Sequence, residues 1–275
     1  MVSLPNAKIN LGLNITEKRA DGYHNLETVF LPIDVKDALE IIVNDNKQTG
    51  IEFTSSGLQI VGDISQNLCI RAYKLLSKDF KLPAIKMHLH KTIPMGAGLG
   101  GGSADGAFAL QLINDKLQLN LSTNQLINYA LQLGSDCPFF IINKTCFATS
   151  RGEVLEEINL DLSSYQIVII NPQIHISTAW AFSKIAPKQP TKSIKKIIQQ
   201  PITTWKTELQ NDFEVAVLKE HLAVRNIKET MYYSGAVYAS LTGTGSTVFG
   251  IFSKIFQPTD FGFPNNYFVK WVNTI

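Results

Sequence analysis

Gly96-Ala97-Gly98-Leu99-Gly100-Gly101-Gly102 places five glycines in seven residues, and Ser103 follows at once. The stretch before it, Ile85-Lys86-Met87-His88-Leu89-His90-Lys91, alternates apolar and polar side chains in the manner of a half-buried strand. The stretch after it, residues 104–112, is apolar nearly all round and reads as a buried helix. A glycine-rich turn feeding a helix N-terminus exposes several backbone N–H groups, and the positive end of the helix dipole adds to them. Side chains would block an anion's approach to that backbone, so glycine is the residue such a cradle needs. The expectation is a nucleotide triphosphate held at this loop.

Other readings of the glycines are weaker. Residues 96–101 match the dinucleotide pattern G-x-G-x-x-G, and Asp115 follows at about the right distance. In that fold the ribose-binding acid ends a second parallel strand. Here residues 122–134 read as another helix, with Ser122 at its start and Gly134 at its end. The P-loop pattern lacks its Gly-Lys-Ser/Thr, and a flexible linker does not suit two strongly structured flanks.

Composition bounds the class. The 275 residues are 45% hydrophobic, enough for one large core or two modest ones. Net charge is +2, and the densest basic run, Lys192-Ser193-Ile194-Lys195-Lys196, reads as a solvated helix face, so no nucleic-acid partner is expected. Three cysteines, Cys69, Cys137 and Cys146, show no metal spacing and suit a reduced interior. Residues 1–5 lack the features of a secretory leader, and no apolar run approaches a membrane span. A cytoplasmic chain with no membrane partner is expected.

Strands are expected at residues 7–15, 26–33, 39–43, 51–54, 85–91 and 165–170, and helices at 67–78, 103–115 and 124–133. Further helices fill 192–233, and two closing strands flank Thr242-Gly243-Thr244-Gly245-Ser246. A boundary near 155–164 divides the chain into domains 1–158 and 159–275. The class is α+β, with the ligand site in an interdomain cleft.

Several residues are suited to chemistry. On the first strand Ile9, Leu11, Leu13 and Ile15 share one face, while Lys8, Asn10, Gly12 and Asn14 share the other. That second face is either a solvated exterior or a cation and an amide aimed into a site. Asp136 sits in Leu133-Gly134-Ser135-Asp136-Cys137-Pro138-Phe139-Phe140, past a helix end and ahead of an apolar run that reads as a strand. It either caps a turn or stands at a pocket edge, where it could take a proton from a hydroxyl. Asp21-Gly22-Tyr23-His24 reads as a hairpin turn, but a tyrosine and histidine at its tip also suit a planar base. His88 and His90 share a strand face, as a surface pair or, less simply, as metal ligands. His175 and His221 read as structural.

Together these segments resemble the kinases named for galactokinase, homoserine kinase, mevalonate kinase and phosphomevalonate kinase, the GHMP kinases. The likeness lies in Pro5-Asn6-Ala7-Lys8-Ile9-Asn10-Leu11, Arg19-Ala20-Asp21-Gly22-Tyr23-His24 and Pro94-Met95 with the loop through Ser103. Residues 133–139 and 241–246 extend it. The resemblance implies a two-domain kinase that moves the γ-phosphate of ATP, with Mg²⁺, to a small alcohol. The Asp21-Gly22-Tyr23-His24 turn is specific to a branch whose acceptor is methylerythritol linked to cytidine diphosphate. By the same resemblance Asp136 is the base and Lys8 its cation. Pro94, Met95, Gly96, Ala97, Gly98, Leu99, Gly100, Gly101, Gly102, Ser103 and Ala104 hold ATP, with Asn67 near the adenine. Asn10, Tyr23, His24, Phe182, Thr178 and Gly243 hold the acceptor: Asn10 orients the methylerythritol end, Tyr23 and Phe182 stack, and His24 reads the cytosine edge. Gly101, Gly102 and Ala104 stand where the family often has serines, so no protein ligand for Mg²⁺ is assigned. A monomer or homodimer is expected. The sequence also leaves open a sibling kinase of mevalonate or homoserine type, or a nucleotide-binding module without catalysis.

Overall fold

The computed structural model describes residues 1–46, 49–255, 258 and 260–275. Strands among them are β1 (Val2–Ser3), β2 (Asn6–Lys18), β3 (His24–Lys36), β4 (Ala38–Val43), β5 (Ile51–Gly57), β6 (Ile85–Lys91), β7 (Cys146–Thr149), β8 (Val154–Glu157), β9 (Tyr165–Asn171), β10 (Tyr238–Leu241), β11 (Val248–Ser253) and β12 (Phe268–Val272). The helices are α1 (Leu68–Leu76), α2 (Gly101–Leu117), α3 (Thr123–Leu133), α4 (Cys137–Ile142), α5 (Thr178–Ser183), α6 (Ile194–Ile197), α7 (Trp205–Glu208), α8 (Glu214–Glu220) and α9 (Leu222–Tyr233). Two compact units are interleaved in sequence rather than divided at one point near 155–164. One comprises Met1–Ala7, Val35–Met95 and Gly100–Lys144; the other comprises Lys8–Asp34, Gly96–Leu99 and Thr145–Ile275.

In the first unit a sheet of order β1-β4-β6-β5 is covered by helices. The β5–β6 pair is parallel, with Ile51 opposite Ile85, and the crossover that a parallel pair requires carries α1. Ile85, Met87 and Leu89 of β6 are buried while Lys86 and His90 face water, as their alternation predicts. Lys91 shares the buried parity. Helix α2 is apolar nearly all round because α1, α3, α4 and β4 all pack against it. At Gly106 a Cβ would lie 2.7 Å from the Leu68 Cβ, so glycine sets the close approach of α1 and α2. Helix α3 begins with a capping box between Ser122 and Gln125.

The apolar run after Asp136 is a helix, α4, and not the expected strand. Pro138 stands in its first turn, where a missing N–H is harmless, and Asn143 ends it in the left-handed conformation. A six-residue apolar run has too little period to separate the two states, and the proline should have decided it.

The second unit holds sheets of order β2-β3-β7-β8 and β10-β11-β9-β12. Val168 and Ile170 of β9, Val248 and Phe252 of β11, and Val224, Ile227 and Met231 of α9 share one core. Strands β8 and β12 lie in segments without a clear two-residue alternation, and sequence reading passes over both.

Candidate functional site

In the second unit, Lys8 and Asn10 of β2 are both at least 97% buried, so this face of the strand is not the solvated exterior that periodicity also allowed. Lys8 Nζ donates to Asn10 Oδ1 at 2.6 Å and lies 4.9 Å from the centre of the Phe30 ring. Asn10 is held at two further points: its amide nitrogen donates to Thr28 Oγ1 at 3.0 Å, and its backbone N–H donates to Thr242 Oγ1 at 3.0 Å. Gly98 lies at φ +76°, and a Cβ there would come within 2.0 Å of the Thr242 carbonyl oxygen. The Lys8 N–H donates to the Leu99 carbonyl, and Thr247 N–H to that of Ala97. The first half of the glycine loop is therefore fastened to β2 and to the turn 242–247, as only a side-chain-free backbone permits. Gly243 packs on Gly98, and Asn211 donates to the Gly243 carbonyl at 3.0 Å. A Cβ at Gly96 would lie 3.4 Å from His175 Nδ1.

The turn after β2 belongs to the same unit. Arg19 pairs with Asp21, whose carboxylate also accepts from the Tyr23 N–H at 3.1 Å. Tyr23 is exposed, with the Arg151 guanidinium 5.0 Å from its ring centre. His24 stacks on Phe182 at 4.9 Å and 27°, and Phe182 meets Phe213 edge-on. Burial, with Lys18 nearby, lowers the His24 pKa, so at neutral pH the imidazole is uncharged and offers one donor and one acceptor. Thr178 is exposed, its hydroxyl 3.5 Å from that of Thr244.

In the first unit Gly100, at φ +71°, is the N-cap residue of α2, and Gly101, Gly102 and Ser103 form its first turn. Amides in a first turn have no intrahelical acceptor, which suits them to an anion. A Cβ at Gly102 would meet nothing within 4 Å, whereas Gly101 lies against Ile93 and Lys91 Nζ. A cavity of about 250 Å³ opens beside this helix end, lined by Asn67, Leu68, Lys91, Met95, Gly102 and Asp105 among others. Asn67 caps α1 by accepting from the Cys69 N–H at 2.9 Å.

Asp136, half-buried between α3 and α4, occupies an N-cap position but makes no capping hydrogen bond, which removes the simplest structural reason for an acid there. Its neighbour Cys137 has a thiol pushed up to about 12 by burial, with the Asp136 charge adding, and Ser103 hydrogen-bonds it. That thiol stays protonated at neutral pH, leaving Asp136 as the junction's candidate base. His88 and His90 are engaged by the hydroxyls of Thr54 and Ser56 at 2.8–2.9 Å. Among the described residues no three His, Cys, Asp or Glu side chains converge as a metal cluster.

Models of the GHMP kinases N terminal domain and the GHMP kinases C terminal domain match residues 67–144 and 193–255. A 4-diphosphocytidyl-2-C-methyl-D-erythritol kinase of Bacteroides fragilis is 51% identical over 254 residues, covering 92% of each chain. One of Bacteroides thetaiotaomicron is 50% identical over 264 residues, covering 95% of this chain and 96% of that one. The chain belongs to the 4-diphosphocytidyl-2-C-methyl-D-erythritol kinases. A crystal structure of 4-(cytidine 5'-diphospho)-2C-methyl-D-erythritol kinase superposes with a TM-score of 0.77 at 27% identity, covering 91% of this chain and 89% of that one.

Membership makes this chain a kinase with the mixed helix and sheet fold of the GHMP kinases. Sequence reading missed a buried ionic cluster under α2. Lys91 pairs with Asp37 and, at 2.8 Å, with Asp105. Asp37 also accepts from the Thr92 and Ile93 N–H groups, whereas Asp105 Oδ1 accepts no hydrogen bond among the described residues. Burial raises the Asp105 carboxyl to about 7, Asp37 adds to it, and Lys91 opposes. The signal for Lys91 was present, because it shares the parity of Ile85, Met87 and Leu89. Nothing local marks Asp37 or Asp105 as its partners.

Proposed function

We propose that this chain transfers the γ-phosphoryl group of ATP to the 2-hydroxyl of 4-diphosphocytidyl-2-C-methyl-D-erythritol, a step of the non-mevalonate route to isoprenoid precursors. The observation that carries this reading is the likeness to kinases of that name at 50–51% identity over more than nine-tenths of the chain. In the reaction Asp136 takes the hydroxyl proton as the oxygen attacks the γ-phosphorus. The bond from that phosphorus to the β–γ bridging oxygen breaks, and ADP leaves. Base catalysis of this kind contributes about 10²–10⁴-fold. The Lys8 ammonium offsets charge developing on the transferred group.

For ATP, the amides of residues 96–103 hold the phosphates, Asn67 lies near the adenine, and Pro94, Met95 and Ala104 complete the nucleotide site. The open face at Gly102 and the cavity beside it support this placement. No residue of this chain is assigned to Mg²⁺, which would accompany the nucleotide and supply charge that offsets the phosphates. For the acceptor, Asn10 orients the methylerythritol end, Tyr23 stacks on cytosine and neutral His24 reads its edge. Phe182, whose ring stacks on His24, serves as the second stacking aromatic. Thr178 and Gly243 complete the acceptor site. The buried thiols of Cys69, Cys137 and Cys146 fit a reducing compartment, the cytoplasm. No helix of the described residues is long and apolar enough to cross a membrane. Coupled measurement of ADP release with the cytidine-linked acceptor tests the reading, and absence of turnover with that acceptor contradicts it.

A further inference from the structure

Thr28 of β3 is fully buried beside Asn10, and its one hydroxyl hydrogen is directed at the Gly12 carbonyl oxygen, 2.5 Å away. A hydroxyl has a single proton to donate, so toward Asn10, at 3.0 Å, Thr28 Oγ1 acts only as an acceptor. The Asn10 side chain must therefore turn its nitrogen to Thr28 and its oxygen to Lys8. Amide orientation is a matter of inference in most structures, but here the hydrogen-bond network decides it. The reversed amide would set an NH₂ group against the Lys8 ammonium, donor to donor, and an oxygen against a hydroxyl with no proton to give. Gly12 contributes the anchor: it lies at φ +69°, and a Cβ there would approach Leu209 Cδ1 to 2.6 Å. Thr242 closes the network, accepting from the Asn10 N–H and lying 3.2 Å from Asn10 Oδ1.

We propose that Thr28 is a positioning residue for the phosphoryl transfer, locking the Asn10 amide so that its oxygen holds the Lys8 ammonium in place. This rests on the role given to Lys8 in the proposed function. Thr28 is fully buried, and it acts through Asn10. Its hydroxyl is used twice, once as donor and once as acceptor, so neither valine nor alanine can replace it, whereas serine can.

The test compares Thr28→Val, Thr28→Ser and Thr28→Ala by steady-state kinetics and thermal melting, with Lys8→Met as control. Thr28→Val is expected to lower kcat about tenfold or more, since small misplacements at a reacting centre have large effects, with the KM for ATP unchanged. Serine and alanine both lack the methyl group and differ in the hydroxyl, so their kcat ratio reads the hydroxyl even where valine prevents folding. A ratio of about ten in favour of serine, at similar melting temperatures, supports positioning. Equal kcat for Thr28→Ser and Thr28→Ala, or wild-type kcat in Thr28→Val, overturns it. An inactive Lys8→Met beside such results leaves the role of Lys8 standing, whereas wild-type turnover in Lys8→Met overturns both.

Discussion

Asp136 is the residue proposed to take the acceptor's proton, and the side chains around it bear on that role. A buried thiol with a pKa of about 12 stands next to it, and the acid makes no capping bond. Asp136→Asn keeps the shape and removes the proton acceptor, so kcat should fall about 10²–10⁴-fold while the melting temperature stays near wild type. Turnover within a few-fold of wild type would contradict the assignment. Asp105 makes a prediction about stability instead. Its carboxyl, ordinarily near 3.8, is raised to about 7 chiefly by burial, so the folded chain holds this proton more tightly than the unfolded one. Its contribution is fully present in acid and is lost as pH rises from about 4 through about 7. Asp105→Asn cannot titrate, so its melting temperature relative to wild type should rise between pH 4.5 and 7.5. A pH-independent difference would contradict that. The two acids also differ in legibility. Asp136 stands out at a helix end between apolar residues, but nothing marks Asp105 within α2, because its partner Lys91, and Asp37 that shares this lysine, belong to other parts of the chain.

The elements of the site differ in how plainly the sequence encodes them, for physical reasons. Strand β6 was read to the residue because its alternation is uninterrupted, and α1 to α3 were found from apolar period and caps. Helix α4 was mistaken for a strand because its six residues are nearly all apolar. Burial of Lys8 and Asn10 was left open because alternation cannot say which layer covers a face. Within the glycine loop the positions are not equivalent. Gly98→Ala would drive a Cβ against the Thr242 carbonyl at a positive φ, which alone costs about 1–3 kcal/mol. The variant should melt several degrees lower and lose turnover. Gly102→Ser enters open space at the helix start and should fold as stably as wild type. Comparable destabilisation in both variants, measured by calorimetry, would show that the loop is not fastened in this way.

At the scale of the molecule, the α+β class and the kinase family could be read from short motifs spread across the chain. The interleaving of the two units could not, because it depends on residues 8–34 joining partners more than a hundred positions away. Leu13 pairs with Asn211, and Asn10 binds Thr242, long-range contacts that no local period encodes. The turn at Asp21–His24 makes the same claim for the whole substrate that Asp136 makes for one proton: the chain should act on a cytidine-linked alcohol and no other. His24→Phe keeps the ring stack on Phe182 but removes the edge that donates and accepts, so it should raise the acceptor KM about tenfold with kcat little changed. An unchanged KM would contradict the base-reading role. The central claim is tested by ATP-to-ADP conversion with cytidine-diphospho-methylerythritol, mevalonate and homoserine, each in the presence of Mg²⁺. Turnover with the cytidine-linked alcohol alone is the predicted result; turnover with mevalonate or homoserine instead, or with none of the three, would contradict it.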